Sequence, residues 1–425
     1  MIKNKKLLFV SLLIIIPSYA DMGHYYKALF LPNVYDTDTC NWHTKLRLYY
    51  GHGNTNKGRN ILGETTPILD IHGEQNWLKV LQGVPPNPSI TSLRNIADTL
   101  VTDAQANGAS PQFGKLSFDG TFAINDFMFF LRQNLKCGFF IKGSLPFRDL
   151  TIDEISFTDL SPDTGEFSKS NPDWVTLKDN INRILHAYDL HSYQNPFKKT
   201  VLGDLMASFG WQHVFCNIPG AVIDLLSIRI EAGFSVPTGS TLDLSEPFAL
   251  PGGYLKHFGL GGRANMLIGF ASYLQLGLEI DGIKFIDKTV TRRMRTNINQ
   301  SGFIALALGK AYEMGGDRYG FTPFIVFRPP FISNLTLLAA YSYQRQKSFT
   351  LCPKDTQVFD TDIVNAFMTG YVMNLIHLKV NYKFDYFSCI VPTIDIFTDI
   401  PIRAKHIFST TMIGCGLGIN LNWNF

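Results

Sequence analysis

The 425-residue chain carries little charge and lacks long hydrophobic runs. Charged residues make up only 17% of it, and no apolar run after the first 20 residues reaches the length of about 20 residues that a transmembrane helix needs. Leaving out Lys3, Lys5 and Lys6 lowers the number of basic residues from 38 to 35, which balances the 35 acidic residues. This neutrality argues against a nucleic-acid partner, because nucleic-acid-binding surfaces are strongly basic.

Motifs for metal, redox or nucleophilic chemistry are also missing. The six cysteines stand at positions 40, 137, 216, 352, 389 and 415 without a CxxC pair, which argues against a zinc site or a redox motif. No GxSxG, HExxH or Walker sequence is present. The ten histidines show no spacing that picks out a catalytic set. We therefore predict no cofactor, no metal site and no catalytic residues.

The first 20 residues have the parts of a secretory signal peptide. A basic start is followed by an apolar run from Leu7 to Ile16 and by a turn that ends in Ala20. The apolar run of about ten residues is too short to span a bilayer. We predict a cleaved signal peptide over residues 1–20 and a periplasmic segment over residues 21–42. An uncleaved membrane anchor is the alternative.

The last nine residues, Leu417 to Phe425, alternate between apolar and small or polar residues without a break. This two-residue period is that of a β-strand with one apolar and one polar face. A final strand that ends on an aromatic residue is typical of the closing strand of a bacterial outer-membrane β-barrel.

Similar alternation recurs along the chain. Clear segments are Lys45–Tyr50, Leu226–Ser235, Tyr273–Asp281 and Ile376–Phe384. In the longer ones, the unbroken apolar face comes close to the depth of a hydrocarbon layer. A membrane protein without apolar helices must be a closed barrel, since only a barrel pairs every backbone group. A large secreted β-sandwich is the alternative, although its outer faces carry more charge.

With its N-terminal segment, its alternating strands and its last strand through Trp423 to Phe425, the chain resembles the bacterial outer-membrane β-barrel superfamily and is porin-like in size. The resemblance implies outer-membrane lipid and lipopolysaccharide as surroundings. It also implies escort by periplasmic chaperones and insertion by the barrel-assembly machinery, with Leu421, Trp423 and Phe425 as the C-terminal assembly signal. No motif points to one family within the superfamily.

We predict an all-β fold, a closed antiparallel transmembrane β-barrel of about 12 strands within residues 43–425, with long external loops that contain short helices. Short periplasmic turns alternate with outer loops, of which the longest are 53–112, 150–202, 287–318 and 347–369. The strands are expected at 43–52, 113–134, 138–149, 203–215, 223–237, 256–269, 272–286, 319–329, 334–346, 370–384, 388–398 and 406–425.

Two places leave the strand pattern open. Large apolar residues occupy even-numbered positions from Leu116 to Ile124 and odd-numbered positions from Phe127 to Leu131. A bulge at Asn125-Asp126 would join them in one strand, because one extra residue reverses the pleat. A tight turn between two short strands is the alternative. Residues 301–309 could form another strand, which with an overlooked partner would make 14.

Two outer loops show helical spacing. Trp174–Tyr188 and Ile90–Val101 place apolar side chains three and four residues apart. A loop with its own amphipathic helix must bury the apolar face over the barrel mouth or inside the lumen. The helices therefore predict either a lid on the rim or an element that narrows a pore.

The polar parity of the strands predicts which residues face the lumen. Both signs of charge occur there, which fits a water-filled pore with charges that set selectivity, or an interior closed by salt bridges across a narrow barrel. The predicted lumenal residues are Lys45, Arg47, Asp119, Lys142, Arg229, Glu231, Arg263, Glu279, Asp281, His377, Lys379 and Lys383.

Two smaller hypotheses concern cysteine and arginine. Cys137 begins the third predicted strand and Cys216 ends the fourth, both at the periplasmic end, so we expect a disulfide between them in the oxidising periplasm. The loop sequence Arg292-Arg293-Met294-Arg295 could bind lipopolysaccharide phosphates, since arginine matches phosphate geometry, or it could simply be solvated.

The predicted function is a passive outer-membrane channel for small hydrophilic solutes or ions, and not an enzyme. Two alternatives stay open. One is a non-conducting surface barrel whose long loops mediate adhesion or another interaction. The other is a hydrolase with its active site at the barrel rim.

Overall fold

The computed structural model describes residue 26 and residues 42–216, 223–270, 273–366, 370–384 and 390–422. In these parts of the chain, long antiparallel strands form one closed barrel. They are β1 His43–Thr55, β2 Lys115–Asn134, β3 Phe139–Asp159, β4 Leu205–Cys216, β5 Ile223–Val236, β6 Gly259–Phe270, β7 Leu274–Phe285, β8 Arg318–Phe327, β9 Leu335–Gln346, β10 Val372–Lys383, β11 Ile390–Lys405 and β12 Thr411–Asn422.

Each barrel strand pairs with its neighbours in the chain, and β1 closes the barrel by pairing with both β2 and β12. The closing pair runs from His43 opposite Asn422 to Asn54 opposite Thr411. Closure leaves no edge strand, so the backbone groups of the barrel find their partners within the sheet. The prediction of a closed antiparallel barrel of 12 strands is confirmed.

The outward face of the barrel is apolar. Each of the twelve strands exposes at least one large apolar side chain, for example Leu48 on β1, Phe209 on β4 and Ile413 on β12. The residues between them along each strand are mostly buried. A soluble monomer does not expose an apolar surface that continues around the whole molecule, whereas a barrel in lipid requires one.

The parity of β2 corrects one prediction. Its buried side chains alternate without interruption through Asn125-Asp126, so the bulge expected there is wrong. The irregularity lies opposite Gly120, where β3 has an extra residue near Glu154 (φ 53°). The apolar residues from Leu116 to Ile124 point into the barrel, because they pack against loops that enter it.

Shorter strands extend the barrel sheet or form small sheets beside it. Ala307–Met314 pairs with Lys288–Met294 and Thr350–Pro353 and not with a barrel strand. Segment 301–309 therefore adds no strand to the barrel, and of the two possible strand numbers the structure has 12. The remaining short strands are Lys57–Arg59, Thr65–Pro67, Gln75–Asn76, Phe197–Leu202 and Ile407–Phe408.

Helices occur in three of the outer loops. They are α1 Thr91–Ala106, α2 Pro172–Asp179, α3 Ile181–Ala187 and α4 Thr361–Asn365, with short 3-10 turns at Ile68–Asp70, Pro88–Ile90 and Lys136–Gly138. The side chain of Asn171 accepts hydrogen bonds from the first backbone N–H groups of α2, and proline occupies its first turn. Both predicted helical segments are thus confirmed. None of the described helices is long and apolar enough to cross a membrane.

The long loops fold into the barrel at the end from which they extend. Buried residues of loops 57–112, 160–200, 238–255 and 288–314 form one apolar cluster with inward residues of β1, β2, β3, β11 and β12. We call these four loops the plug. Its packing is close: the fully buried Trp174 lies 5.9 Å from Phe113, and Phe118 of β2 lies 5.5 Å from Phe248, between ring centroids.

Tyr26 also lies inside the barrel. It is fully buried, its ring centroid is 5.6 Å from that of Phe122, and its hydroxyl donates to the carbonyl oxygen of Pro251 at 2.6 Å. Residues 21–25 and 27–41 lie outside the described residues, so the assignment of segment 21–42 to the periplasm stays a prediction. The predicted signal peptide over residues 1–20 and the terminal Trp423 and Phe425 lie outside the described residues.

Candidate functional site in the barrel lumen

Charged side chains cover the inward wall from β2 to β8. We call this set the charged arc, which contains both signs and is almost fully buried, since each member is at most 5% exposed. Its members are Arg132, Lys142, Arg229, Glu231, Arg263, Glu279, Asp281 and Arg318.

The central part of the arc is a chain of contacts. Glu231 of β5 pairs with Lys142 of β3 and with Arg229, whose Nε lies 3.1 Å from Glu231 Oε1. Arg229 also approaches Glu279 of β7 at 3.5 Å, and Glu279 lies 3.3 Å from Nε of Arg263 on β6. Basic and acidic groups therefore alternate along the wall.

The two ends of the arc lie on β8 and β2. Arg318 of β8 lies 3.9 Å from Asp281 of β7 and donates to the hydroxyl of Tyr254 in the plug at 2.9 Å. Arg132 of β2 donates to Gln212 of β4 at 2.9 Å, and its guanidinium lies 4.0 Å from the ring centre of Phe140. The arc thus extends from Tyr254 of the plug to Phe140, an inward aromatic residue of β3.

The opposite wall carries a smaller polar group. His377 and Lys379 of β10 pair with Asp399 and Asp395 of β11, the second pair at 3.0 Å. Arg47 of β1 donates to Asn420 of β12 at 2.8 Å. These contacts join adjacent strands in the same way as those of the charged arc.

The direction of the described ion pairs bears on the choice between the two predicted kinds of lumen. In the described barrel strands, the partners of each ion pair lie on one strand, on adjacent strands or on strands two positions apart. A barrel closed by salt bridges would instead join opposite walls. The charges line the wall, and the plug occupies the space between the walls.

Glycines of β12 make room for inward side chains. A Cβ atom added to Gly418 would lie 2.3 Å from the Arg47 side chain, and one added to Gly416 would lie 2.5 Å from the Tyr49 ring. Any larger residue would therefore displace these two side chains of β1. The glycine-rich end of the sequence serves packing in the lumen, as expected of glycines within strands.

A short 3-10 turn attaches the plug to the wall. Asp70 accepts hydrogen bonds from the Ser117 hydroxyl at 2.5 Å and from the backbone N–H of Phe118 at 3.1 Å. Burial raises the pKa of Asp70 to about 7, although both hydrogen bonds act to lower it. The attachment therefore contains a carboxyl group that titrates near neutral pH.

The arginine-rich segment of the plug is neither a solvated nor an open phosphate-binding loop. Arg292 contacts the buried carboxylate of Glu313 through Nε and a terminal nitrogen atom, and His257 lies 2.9 Å from the same carboxylate. Burial acts to raise the pKa of Glu313, but the hydrogen bond with His257 and the charge of Arg292 outweigh it and lower the pKa to about 2. Arg293 donates to backbone carbonyls of the plug.

With one exception, the predicted lumenal residues occupy inward-facing positions of their strands. Asp119 lies on the exposed face of β2, because its apolar neighbours turn toward the plug and not toward lipid. Lys45 and Arg47 are half-buried, and Lys383 is exposed at the end of β10. Their role in lining a pore stays a prediction.

Several inward charges were absent from the predicted set. Asp395 and Asp399 alternate with isoleucines along β11, so parity alone could have identified them. Arg318 begins β8, one residue before the start of the predicted strand at 319, and was therefore assigned to the preceding loop. Arg148 lies just inside the end of its predicted strand, opposite Asp126.

The disulfide expected between Cys137 and Cys216 is wrong, since both are free and exposed. Phe139 lies opposite Trp211. Cys216 therefore lies about three residues, or roughly 10 Å, beyond the position that faces Cys137. A disulfide needs Cα atoms within about 7 Å of each other.

A closed barrel with an apolar exterior and a charged inner wall has the architecture of a transmembrane β-barrel. No family model and no curated protein matches the sequence.

Solved structures with a similar architecture are barrels of this class. One is an outer-membrane channel from Pseudomonas putida F1, with a TM-score of 0.48, 9% identity and coverage of 93% of this chain and 100% of that one. Another is the NanC porin, with a TM-score of 0.31, 6% identity and coverage of 71% and 94%. A third is the transport unit of the autotransporter AIDA-I from Escherichia coli, with a TM-score of 0.37, 8% identity and coverage of 93% and 94%.

Proposed function

We propose that this protein is an outer-membrane channel for small hydrophilic solutes or ions, which the plug closes in the conformation described above. The observation that carries the proposal is the direction of the ion pairs, which follow the wall. Removing the plug from such a barrel leaves a lumen lined with fixed charges, and charges of this kind set the selectivity of a pore.

The composition of the charged arc favours anions. Its basic members are Arg132, Lys142, Arg229, Arg263 and Arg318, against the acidic Glu231, Glu279 and Asp281. The arc therefore carries a positive excess beside the path that a solute would take. A low-dielectric wall strengthens the effect of such an excess on passing ions.

Opening requires the plug to move, and Trp174 is a suitable point at which to weaken it. Trp174 is fully buried, and its Nε1 donates to Asp159 at the end of β3 at 2.9 Å. Replacing a buried tryptophan with alanine costs about 3–5 kcal/mol in typical cores. Trp174→Ala should therefore loosen α2 without changing the charged arc.

Planar-bilayer recordings test the proposal. We expect brief stepwise currents from the unmodified protein and a larger open fraction for Trp174→Ala. Trp211→Ala, which removes an outward tryptophan of β4, is the matched control and should behave as the unmodified protein. Silent bilayers containing folded protein, for both the unmodified chain and Trp174→Ala, would contradict a channel.

The same recordings address a second candidate, a permanently closed surface barrel. The observation in its favour is that plug and wall share one apolar core. A shared core of this kind can act as a fixed structure that presents loops at the cell surface. Absence of current from every folded variant would favour this candidate over the channel.

A further inference from the structure

The plug contains a cavity of about 160 Å³. It lies between loop 238–255 and the hairpin formed by Lys288–Met294 and Ala307–Met314. Apolar side chains form most of its lining, among them Leu242, Leu244 and Ile304. An apolar cavity of about 150 Å³ holds a benzene molecule in a well-studied engineered protein. The plug cavity therefore has room for an apolar body of about one ring.

The acidic side chains on the lining already have partners in the plug. Asp243 accepts from the backbone N–H and hydroxyl of Ser245, at 3.2 and 2.7 Å, and faces Lys199 at 3.7 Å. Glu246 pairs with His191 at 2.8 Å. Glu313 is held by His257 and Arg292. In the described part of the chain, none of these carboxylates forms an ion pair with Arg293.

Arg293 brings a positive charge to the cavity and has no salt bridge in the described part of the chain. Its guanidinium donates to the carbonyl oxygens of Leu244, Leu306 and Tyr188, at 2.6, 2.7 and 2.8 Å, with a longer contact to that of Asp189. The Asp189 side chain acts on it only as a more distant charge. Carbonyl groups thus fix the position of Arg293 without cancelling its charge. Arg295 adds a second, largely buried guanidinium to the lining.

We infer that this cavity binds a compact amphipathic anion, with an apolar body of about one aromatic ring and a single carboxylate. The ring fits among the leucine side chains, and the carboxylate lies toward Arg293. Guanidinium groups bind carboxylates with both charge and hydrogen bonds. A neutral hydrocarbon of the same size gains only the apolar contacts, and a cation is repelled.

Calorimetry on the full-length protein in detergent tests this site without any need for transport. The probes are benzoate, toluene and benzylammonium, which share a ring and differ in charge. We expect benzoate to bind, toluene to bind at least about tenfold more weakly, and benzylammonium not to bind. No binding of benzoate, or equal binding of benzoate and toluene, overturns the inference.

Two variants separate the ring from the charge. Ala305→Phe places a side chain in the cavity and leaves the arginines unchanged, so benzoate binding should be lost. Arg293→Met should weaken benzoate binding at least about tenfold and leave toluene binding nearly unchanged. If Arg293→Met fails to fold, Ala305→Phe still decides the location of the site.

Arg94→Met is the matched control. Arg94 also donates to two plug carbonyls, those of Leu81 and Val84, but does not line the cavity. Benzoate binding should be the same in this variant as in the unmodified protein. Equal loss of binding in Arg94→Met and Arg293→Met, or unchanged binding in Ala305→Phe, overturns the inference.

Discussion

Arg148 and Asp126 form a fully buried ion pair on the adjacent strands β3 and β2, with 3.1 Å between Arg148 Nε and Asp126 Oδ2. Arg148 also donates to the carbonyl oxygen of Gly252 in the plug at 2.9 Å. One guanidinium therefore joins two strands of the wall to loop 238–255. This contact links the stability of the barrel to the position of the plug.

Arg148→Met should destabilise the protein strongly, because it leaves the Asp126 carboxylate buried without its ion-pair partner. Breaking a buried pair from one side costs about 3–5 kcal/mol. We expect a decrease of this size in the free energy of unfolding, measured by urea titration in detergent. The double variant Arg148→Met/Asp126→Leu should recover part of the loss in stability, because neither charge of this pair then remains buried. A double variant less stable than Arg148→Met would contradict this account of the pair.

Asp70 should make attachment of the plug sensitive to pH. Its folded pKa of about 7 lies above the value of 3.8 for an unperturbed aspartate, so the folded state binds the proton more tightly than the unfolded state. The contribution of Asp70 to stability is then greatest in acid and decreases as pH rises from about 4 to about 7. Hydrogen exchange in residues 57–112, corrected for the intrinsic effect of pH, should show protection that declines across this interval.

Asp70→Asn is the control for this pH dependence. Asparagine keeps an oxygen that can accept from the N–H of Phe118 and gains an NH2 group that can donate to the Ser117 hydroxyl, but it does not titrate. Protection of residues 57–112 should then be nearly constant over the same interval. A decline as large as in the unmodified protein would assign the pH dependence to another group.

Cys137 and Cys216 should both react as free thiols. The stagger of β3 and β4 separates them, and both are exposed. Maleimide labelling of the unreduced protein, followed by mass spectrometry of peptides, should find both residues modified. Recovery of a peptide linked through these two cysteines would show that the stagger is wrong.

The barrel was predictable from sequence because its cause is local. Lipid on one side and the lumen on the other impose a two-residue period on each strand, as in Ile376–Phe384. β2 was harder to interpret because its outer half contacts the plug on one side. Phe118 packs against Phe248 and Phe122 packs against Tyr26, and both of these partners are distant in sequence.

The candidate site was predictable only in part. Parity identified most inward charges, such as Arg229 and Glu279, since it requires only the strand pattern. It could not show whether pairs form along or across the lumen, because that depends on register and side-chain reach. The plug cavity could not be predicted from the sequence. Its Arg293 donates to carbonyl groups of loops that are far apart in the chain, such as that of Tyr188.

The reversal potential across a KCl gradient tests most directly whether the charged arc lines the path of ions. Trp174→Ala, with its weakened plug, is compared with Trp174→Ala/Arg263→Gln, which removes one basic group from the arc. The account predicts an anion preference in the first protein and a shift toward cations in the second. An unchanged reversal potential in two folded, conducting proteins would contradict it.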